Sequence, residues 1–182
     1  MSNTGGGHRA TAEAIREALN HLYNTNVSVS IVDAWQHHVT WPVNKIGNTY
    51  SWIIKEAVWV WKTLWLLEHQ PQLVDALINS MYPLVAPGLH NLFAASRPDV
   101  IVSVHPLLTR LPLTVLQRTK QNIPFITVVT DMVRGYHTWY DPRTTLCLVP
   151  TELARQQAAR YIPVPGQVEV VGQPVALKFA RG

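Results

Sequence analysis

Apolar positions along the chain follow two different periods. From His8 to Tyr23, Ala12, Ile15, Leu19 and Leu22 recur at three- and four-residue spacing, which predicts a helix with one apolar face. Elsewhere the apolar runs are short and β-branched: "NVSVSIVDAW", "DVIVSVHP", "PFITVVTDM", "TLCLVP" and "QVEVVGQP", each bounded by Pro, Gly, Asp or Asn. These runs predict five strands. Helical stretches separate most of them, with "LLTRLPLTVLQRTKQ" between the second and third and "TELARQQAARYI" between the fourth and fifth. Strands alternating with helices imply right-handed βαβ crossovers and a mostly parallel sheet. The expected fold is α/β and Rossmann-like, with helices on both faces of the sheet and residues 1–182 forming one domain.

In such a sheet, ligands gather beyond the carboxyl ends of the strands. Four segments are expected on that rim: "TGGGH", "VDAWQHHVTWP", "VSVHP" and "VVTDMVRGYHTWY". They carry His8, Asp33, His37, His38, His105, Asp131, His137 and Trp139. Taken singly, an Asp or His at a strand end also serves as a turn or cap residue; it is their convergence that points to a site. The segment "TGGGHRATAEAI" is neither a phosphate-binding Gly-Lys-Ser/Thr loop nor a spaced-glycine dinucleotide fingerprint. Two readings of Gly5, Gly6 and Gly7 stay open. The glycines let a ligand approach the backbone where a helix start presents free N–H groups, or they make a tight turn beside a solvated histidine. A histidine at that helix start is kept neutral by the positive helix end and is thereby available as a base. No metal site is expected, because the adjacent His37 and His38 have poor ligand spacing.

Composition narrows the picture. The chain has 182 residues, 47% of them hydrophobic and 14% charged, enough to bury a core. The single cysteine, Cys147, lies in an apolar run, which excludes a disulfide framework and predicts a buried thiol. The polar, glycine-rich start is unlike a secretory signal, and a cytoplasmic location is expected. A net charge of +4 favours anionic partners mildly and does not by itself call for nucleic acid. Six of the seven tryptophans fall between positions 35 and 65. If 45–66 is helical, Trp52, Lys55, Trp59 and Lys62 share one stripe, which suits a membrane interface where indole sits at headgroup depth and ammonium meets phosphate. Packing of these rings in a core is the other reading. Lys55, Glu56 and Lys62 interrupt the apolar run, so a membrane span is not expected.

Six collinear segments carry a resemblance: "SNTGGGHRATAEAI", "VDAWQHHVTWPVNKIGNTY", "PDVIVSVHPL", "VVTDMVRGYHTWYDP", "VPTELA" and "VEVVGQPV". Together they resemble the amino-terminal half of the monogalactosyldiacylglycerol synthases and the related diacylglycerol glucosyltransferases. The resemblance implies a GT-B enzyme, with two Rossmann-like domains facing across a cleft. Such enzymes move a hexose, galactose or glucose, from a UDP-sugar to diacylglycerol with inversion, and act as peripheral membrane proteins without a resident cofactor. It implies that His8 is the general base beside a loop shaped by Gly5, Gly6 and Gly7. Pro42 and Trp139 would meet the acceptor lipid or an anionic lipid, with Asp131 and His137 in the same motif. Two features depart from the pattern: Asn3 stands where relatives often carry Asp, and neither a strand ahead of the glycine loop nor a donor domain after Gly182 is present in this sequence. The chain alone is therefore expected to be the acceptor domain, inactive without its donor half. A non-catalytic lipid- or protein-binding module and a nucleotide-binding Rossmann enzyme of another type are the alternatives.

Overall fold

The computed structural model describes residues 6–34 and 70–180. Its first helix, α1, spans Gly6–Tyr23, so the predicted amphipathic helix is present and already includes Gly6 and Gly7. The next long element among the described residues is α2, Pro71–Ser96, roughly 39 Å of helix at 1.5 Å per residue. The sequence pattern did not reveal it. Pro83 and Pro87 lie inside it, and each removes a backbone donor that a helix normally uses. Pro71 opens the helix, where its missing N–H costs nothing. Arg97 closes it at φ 42° with its N–H on the Phe93 carbonyl, and Pro98 follows, which cannot continue the helix.

The rest of the chain alternates as expected: β1 Ile101–Ser103, α3 Arg110–Arg118, β2 Phe125–Val128, β3 Leu146–Val149, α4 Glu152–Ala158, β4 Val168–Val170 and α5 Leu177–Ala180. The four strands form one sheet in the order β1-β2-β3-β4, and every pairing is parallel. This is the α/β, Rossmann-like arrangement that the pattern predicts.

One predicted strand is absent. Residues 27–33 of "NVSVSIVDAW" are assigned no strand, and Ala34 is already helical. Their burial does alternate, with Val27, Val29 and Ile31 half-buried and Ser28 and Ser30 exposed. Alternation specifies an extended segment with two unlike faces; a strand also needs a ladder partner, and none of the described strands pairs with this one.

Register and pleat place Ile101, Ser103, Phe125, Thr127 and Cys147 on one sheet face. That face is the buried one, with Phe125, Thr127 and Cys147 at 1% exposure or less. On the opposite face Val102 is 41% exposed, and Ile126, Leu146 and Leu148 are half-buried. Val128, on the same face, is 2% exposed. Two apolar clusters fill the interior. One joins Val85, Leu89 and Phe93 of α2 to Leu111, Val115 and Leu116 of α3 and to Phe125. The other joins Cys147 and Val149 of β3 to Ala154 and Ala158 of α4, and to Val129, Trp139, Tyr140 and Ile162. Cys147 is a buried free thiol, and burial pushes its pKa up to about 12. It behaves as a small apolar residue.

Candidate functional site

The parallel sheet sends the chain off the carboxyl ends of β1 and β2 into two loops, and the amino-terminal end of α1 meets both. After β1, Val104 and His105 lead into a 3-10 turn, Pro106–Leu108. His105 is itself the cap of that turn, its Nδ1 accepting from the Leu107 N–H at 3.2 Å. After β2, Val129, Thr130 and Asp131 lead to a second 3-10 turn, His137–Trp139. His8 lies between these two loops. Its ring centroid is 4.7 Å from that of His105 and 6.0 Å from that of Trp139, and its Nδ1 is 3.4 Å from Thr130 Oγ1.

The two histidines sit in different electrostatic environments. Burial lowers the His8 pKa below its usual 6.5, while the negative charge of Asp131 and a hydrogen bond with the Val104 backbone pull the other way, and the amino-terminal charge lowers it slightly. His8 is therefore neutral at pH 7 and able to accept a proton. His105 is buried more deeply, and desolvation together with the nearby His8 brings its pKa down to about 3. It stays uncharged throughout the physiological range.

That difference carries a sign for stability. An unfolded imidazole titrates near 6.5 and the folded His105 at about 3, so between those values the unfolded chain binds more protons. Stability contributed by the neutral ring is complete above pH 6.5 and falls as the pH drops, with a slope approaching about 1.4 kcal/mol per pH unit. His8 adds to the loss in the same direction. Urea unfolding near pH 7.5 and near pH 5 should show a lower midpoint in acid, and His105→Asn should shrink the difference. Equal midpoints for the unaltered chain would contradict this assignment.

Asp131 is fixed by a side chain that the sequence did not suggest as its partner. Trp139 Nε1 donates to Asp131 Oδ2 at 2.8 Å, and the indole is 0% exposed. The resemblance places Trp139 at a position linked to the acceptor lipid or an anionic lipid; in this structure its ring is buried. Gly135 sits against Trp139 and Tyr140. A Cβ there would lie 2.7 Å from the Tyr140 hydroxyl oxygen and 3.1 Å from the Trp139 ring, so any larger residue displaces one of the two. The same loop is tied down from α4, where Gln157 accepts from the Gly135 N–H at 3.0 Å and donates to its carbonyl at 2.7 Å.

His137 belongs to a neighbouring set of contacts. It is buried, and its Nε2 lies 3.4 Å from Asp75 Oδ1. Arg110 Nη1 is 2.8 Å from the same oxygen, and Arg110 Nε is 3.9 Å from Asp141 Oδ2. Burial opposes the Asp141 charge, yet hydrogen bonds from Arg143 and the charges of Arg143 and Arg110 hold its carboxyl below the usual range. This network links α2 and α3 to the segment after β2. Neither Asp75 nor Arg110 stood out in the sequence, because isolated charges 35 residues apart carry no local pattern.

Gly6 and Gly7 occupy the first turn of α1, and a Cβ built on either meets nothing within 4 Å. Packing among the described residues does not require glycine there. Open space beside a helix start suits the approach of a ligand to backbone N–H groups. Gly5, Pro42, Trp52, Lys55, Trp59 and Lys62, together with His37 and His38, lie outside the described residues. No group of three or more His, Cys, Asp or Glu is placed to hold a metal among the described residues.

Residues 8–175 match the family model for monogalactosyldiacylglycerol (MGDG) synthase. The chain belongs to this family. The match opens on His8 and takes in both rim loops, so every described residue of the site from His8 onward lies within the family segment. Similar proteins include monogalactosyldiacylglycerol synthase, chloroplastic, of Spinacia oleracea, 32% identical over 183 residues. A probable monogalactosyldiacylglycerol synthase, chloroplastic, of Nicotiana tabacum is 37% identical over 192 residues, and monogalactosyldiacylglycerol synthase 1, chloroplastic, of Arabidopsis thaliana is 34% identical over 188 residues. Each alignment covers 100% of this chain and 34% to 35% of the relative. The chain therefore spans about a third of the length of these family members.

Proposed function

We propose that the chain is the acceptor-lipid domain of an inverting glycosyltransferase in glycolipid synthesis, one that moves a hexose from a UDP-sugar to the hydroxyl of diacylglycerol. The observation that carries this reading is the placement of His8, neutral at pH 7, between the carboxyl-end loops of β1 and β2 in a chain of the MGDG synthase family. In the proposed step His8 takes the proton of the acceptor hydroxyl. The oxygen then forms a bond to the sugar's anomeric carbon, and the bond from that carbon to the UDP oxygen breaks, its electron pair leaving with UDP. The reaction so written draws on no resident cofactor. Holding the UDP-sugar in line is assigned to a partner domain, and positioning of this kind supplies on the order of 7–11 kcal/mol of a barrier.

Membrane attachment is assigned to the Trp52, Lys55, Trp59 and Lys62 stripe. No described helix is long and apolar enough to cross a membrane, and a peripheral mode needs only this stripe and anionic headgroups. The test uses the protein joined to its donor domain, vesicles of diacylglycerol with increasing phosphatidylglycerol, and UDP-galactose or UDP-glucose. Hexosyl transfer that depends on diacylglycerol and rises with anionic lipid is expected, with about 1 kcal/mol of surface binding for each engaged lysine. Absence of transfer with both donors would overturn the reading.

A further inference from the structure

Helix α2 turns its inner side to the core through Ile78, Val85, Leu89 and Phe93, and its outer side carries a second apolar line. Leu73 is 54% exposed, Leu77 51% and Leu84 37%, and with the exposed Ser80 and Pro87 they recur at alternating spacings of four and three. That is the spacing of a seam against another helix. Charge is missing from this side: the one Asp, Glu, Lys or Arg among the 26 residues of α2 is Asp75, which faces Arg110 and His137. Ser80 donates to the Leu77 carbonyl at 2.7 Å, so its hydroxyl is satisfied within the helix and can sit beneath an apolar neighbour.

The chain on either side of residues 35–69 is anchored to this helix. Ala34 is buried in one cluster with Ile78 and Val85 of α2, and Gln70 caps its first turn, the carbonyl accepting from the Leu73 and Val74 N–H groups at 3.0 and 3.2 Å. Between these anchors the sequence holds an apolar line of the same kind: Tyr50, Ile53, Ala57, Val60 and Leu64. Read from its carboxyl end, its spacings are those of α2. Run antiparallel, as a short connection between helices favours, Leu64 falls opposite Leu73, Val60 opposite Leu77, Ala57 opposite Ser80, Ile53 opposite Leu84 and Tyr50 opposite Pro87. Small thus meets small at Ala57 and Ser80, and a branched aliphatic residue meets leucine on both sides of them. On a helix over 50–66, Trp52, Lys55, Trp59 and Lys62 occupy the side away from this line.

We propose that the outer seam of α2 seats residues 50–66 of the same chain, packed as an antiparallel helix through Tyr50, Ile53, Ala57, Val60 and Leu64, which holds the Trp52, Lys55, Trp59 and Lys62 stripe outward toward the bilayer. The outward half of this statement rests on the membrane role assigned to that stripe; the pairing of the two seams does not. A second copy is the poorer occupant. Leu73, Leu77 and Leu84 make a strip one helix wide, short of the roughly 800 Å² per partner of a standard interface between separate chains, whereas a segment tethered at both ends binds at high effective concentration and needs less area.

The experiment places cysteine pairs in the protein joined to its donor domain and reads intramolecular disulfides by peptide mass spectrometry after mild oxidation. The native Cys147 is buried and does not compete. Val60→Cys with Leu77→Cys should close in most molecules, as should Ala57→Cys with Ser80→Cys, while Lys62→Cys with Leu77→Cys, whose side chains would point apart, should close in few. The two matched pairs are independent, so one that misfolds leaves the other to decide. Matched pairs that close no more often than the Lys62 control would overturn the proposal. Disulfide-linked dimers of Leu77→Cys alone would overturn it by putting a second copy on α2. A bimane label on Leu77→Cys whose emission moves to the blue only when diacylglycerol and phosphatidylglycerol vesicles are added would overturn it by putting lipid there. The membrane reading fails separately: if Trp52→Ala with Trp59→Ala binds those vesicles as before, the stripe loses its role while the cross-links still report the pairing.

Discussion

His8→Ala, in the protein joined to its donor domain, is expected to lower hexosyl transfer by roughly 10² to 10⁴ while leaving association with diacylglycerol vesicles nearly intact. An alcohol is a poor nucleophile until its proton is removed, and a positioned histidine typically contributes a factor of that size. The position of His8 fits the task in three ways. It is neutral at pH 7 because burial lowers its pKa, it lies against the loops after β1 and β2, and the adjoining Gly6 and Gly7 leave open space. His8→Gln keeps some hydrogen bonding but cannot hold the proton, so it should be nearly as slow. Because the folded pKa lies below 6.5, turnover of the unaltered enzyme should fall only on the acid side of that value. Near-normal turnover in His8→Ala would refute the assignment; a defect confined to a raised acceptor KM would make His8 a headgroup ligand.

The second large effect is on folding. Trp139→Ala should destabilise the chain by roughly 3–5 kcal/mol, or a Tm lower by about 10 °C for a chain of this size. The indole is 0% exposed and sits in the cluster formed with Val129, Tyr140, Cys147 and Val149. Its removal opens a cavity and also takes away the donor that Asp131 Oδ2 accepts from. Thermal unfolding by circular dichroism measures this directly, and a loss below about 1 kcal/mol would mean that the ring is not core.

The two residues illustrate what the amino-acid sequence discloses and what it withholds. Four of the five predicted strands are present, because β-branched runs between Pro, Gly and Asp are local signals that survive in the fold. The fifth, at 27–33, has the right alternation but no ladder to the four described strands; pairing depends on a distant segment and leaves no mark in the run itself. Helix α2 was hidden by Pro83 and Pro87, since local rules take interior prolines as breaks while tertiary packing of Val85, Leu89 and Phe93 sustains the helix. Within the site, His8, His105 and Asp131 were legible as residues at strand or helix ends. The bond from Trp139 to Asp131 was not, because an eight-residue separation through a 3-10 turn has no periodic signature. Nor was the burial of Trp139, since a motif position carries no depth. The contact of Asp75 with His137 and Arg110 is longer in range still, joining α2 to α3 and to the loop after β2.

The most direct test of the account is the anomeric configuration of the lipid product and its dependence on His8. Supplied with UDP-α-galactose and diacylglycerol vesicles, the protein joined to its donor domain should release a β-linked galactosyl diacylglycerol, read from the proton coupling at the anomeric carbon, and His8→Ala should make almost none. An α-linked product, or a β-linked one formed equally well without the His8 imidazole, would contradict it.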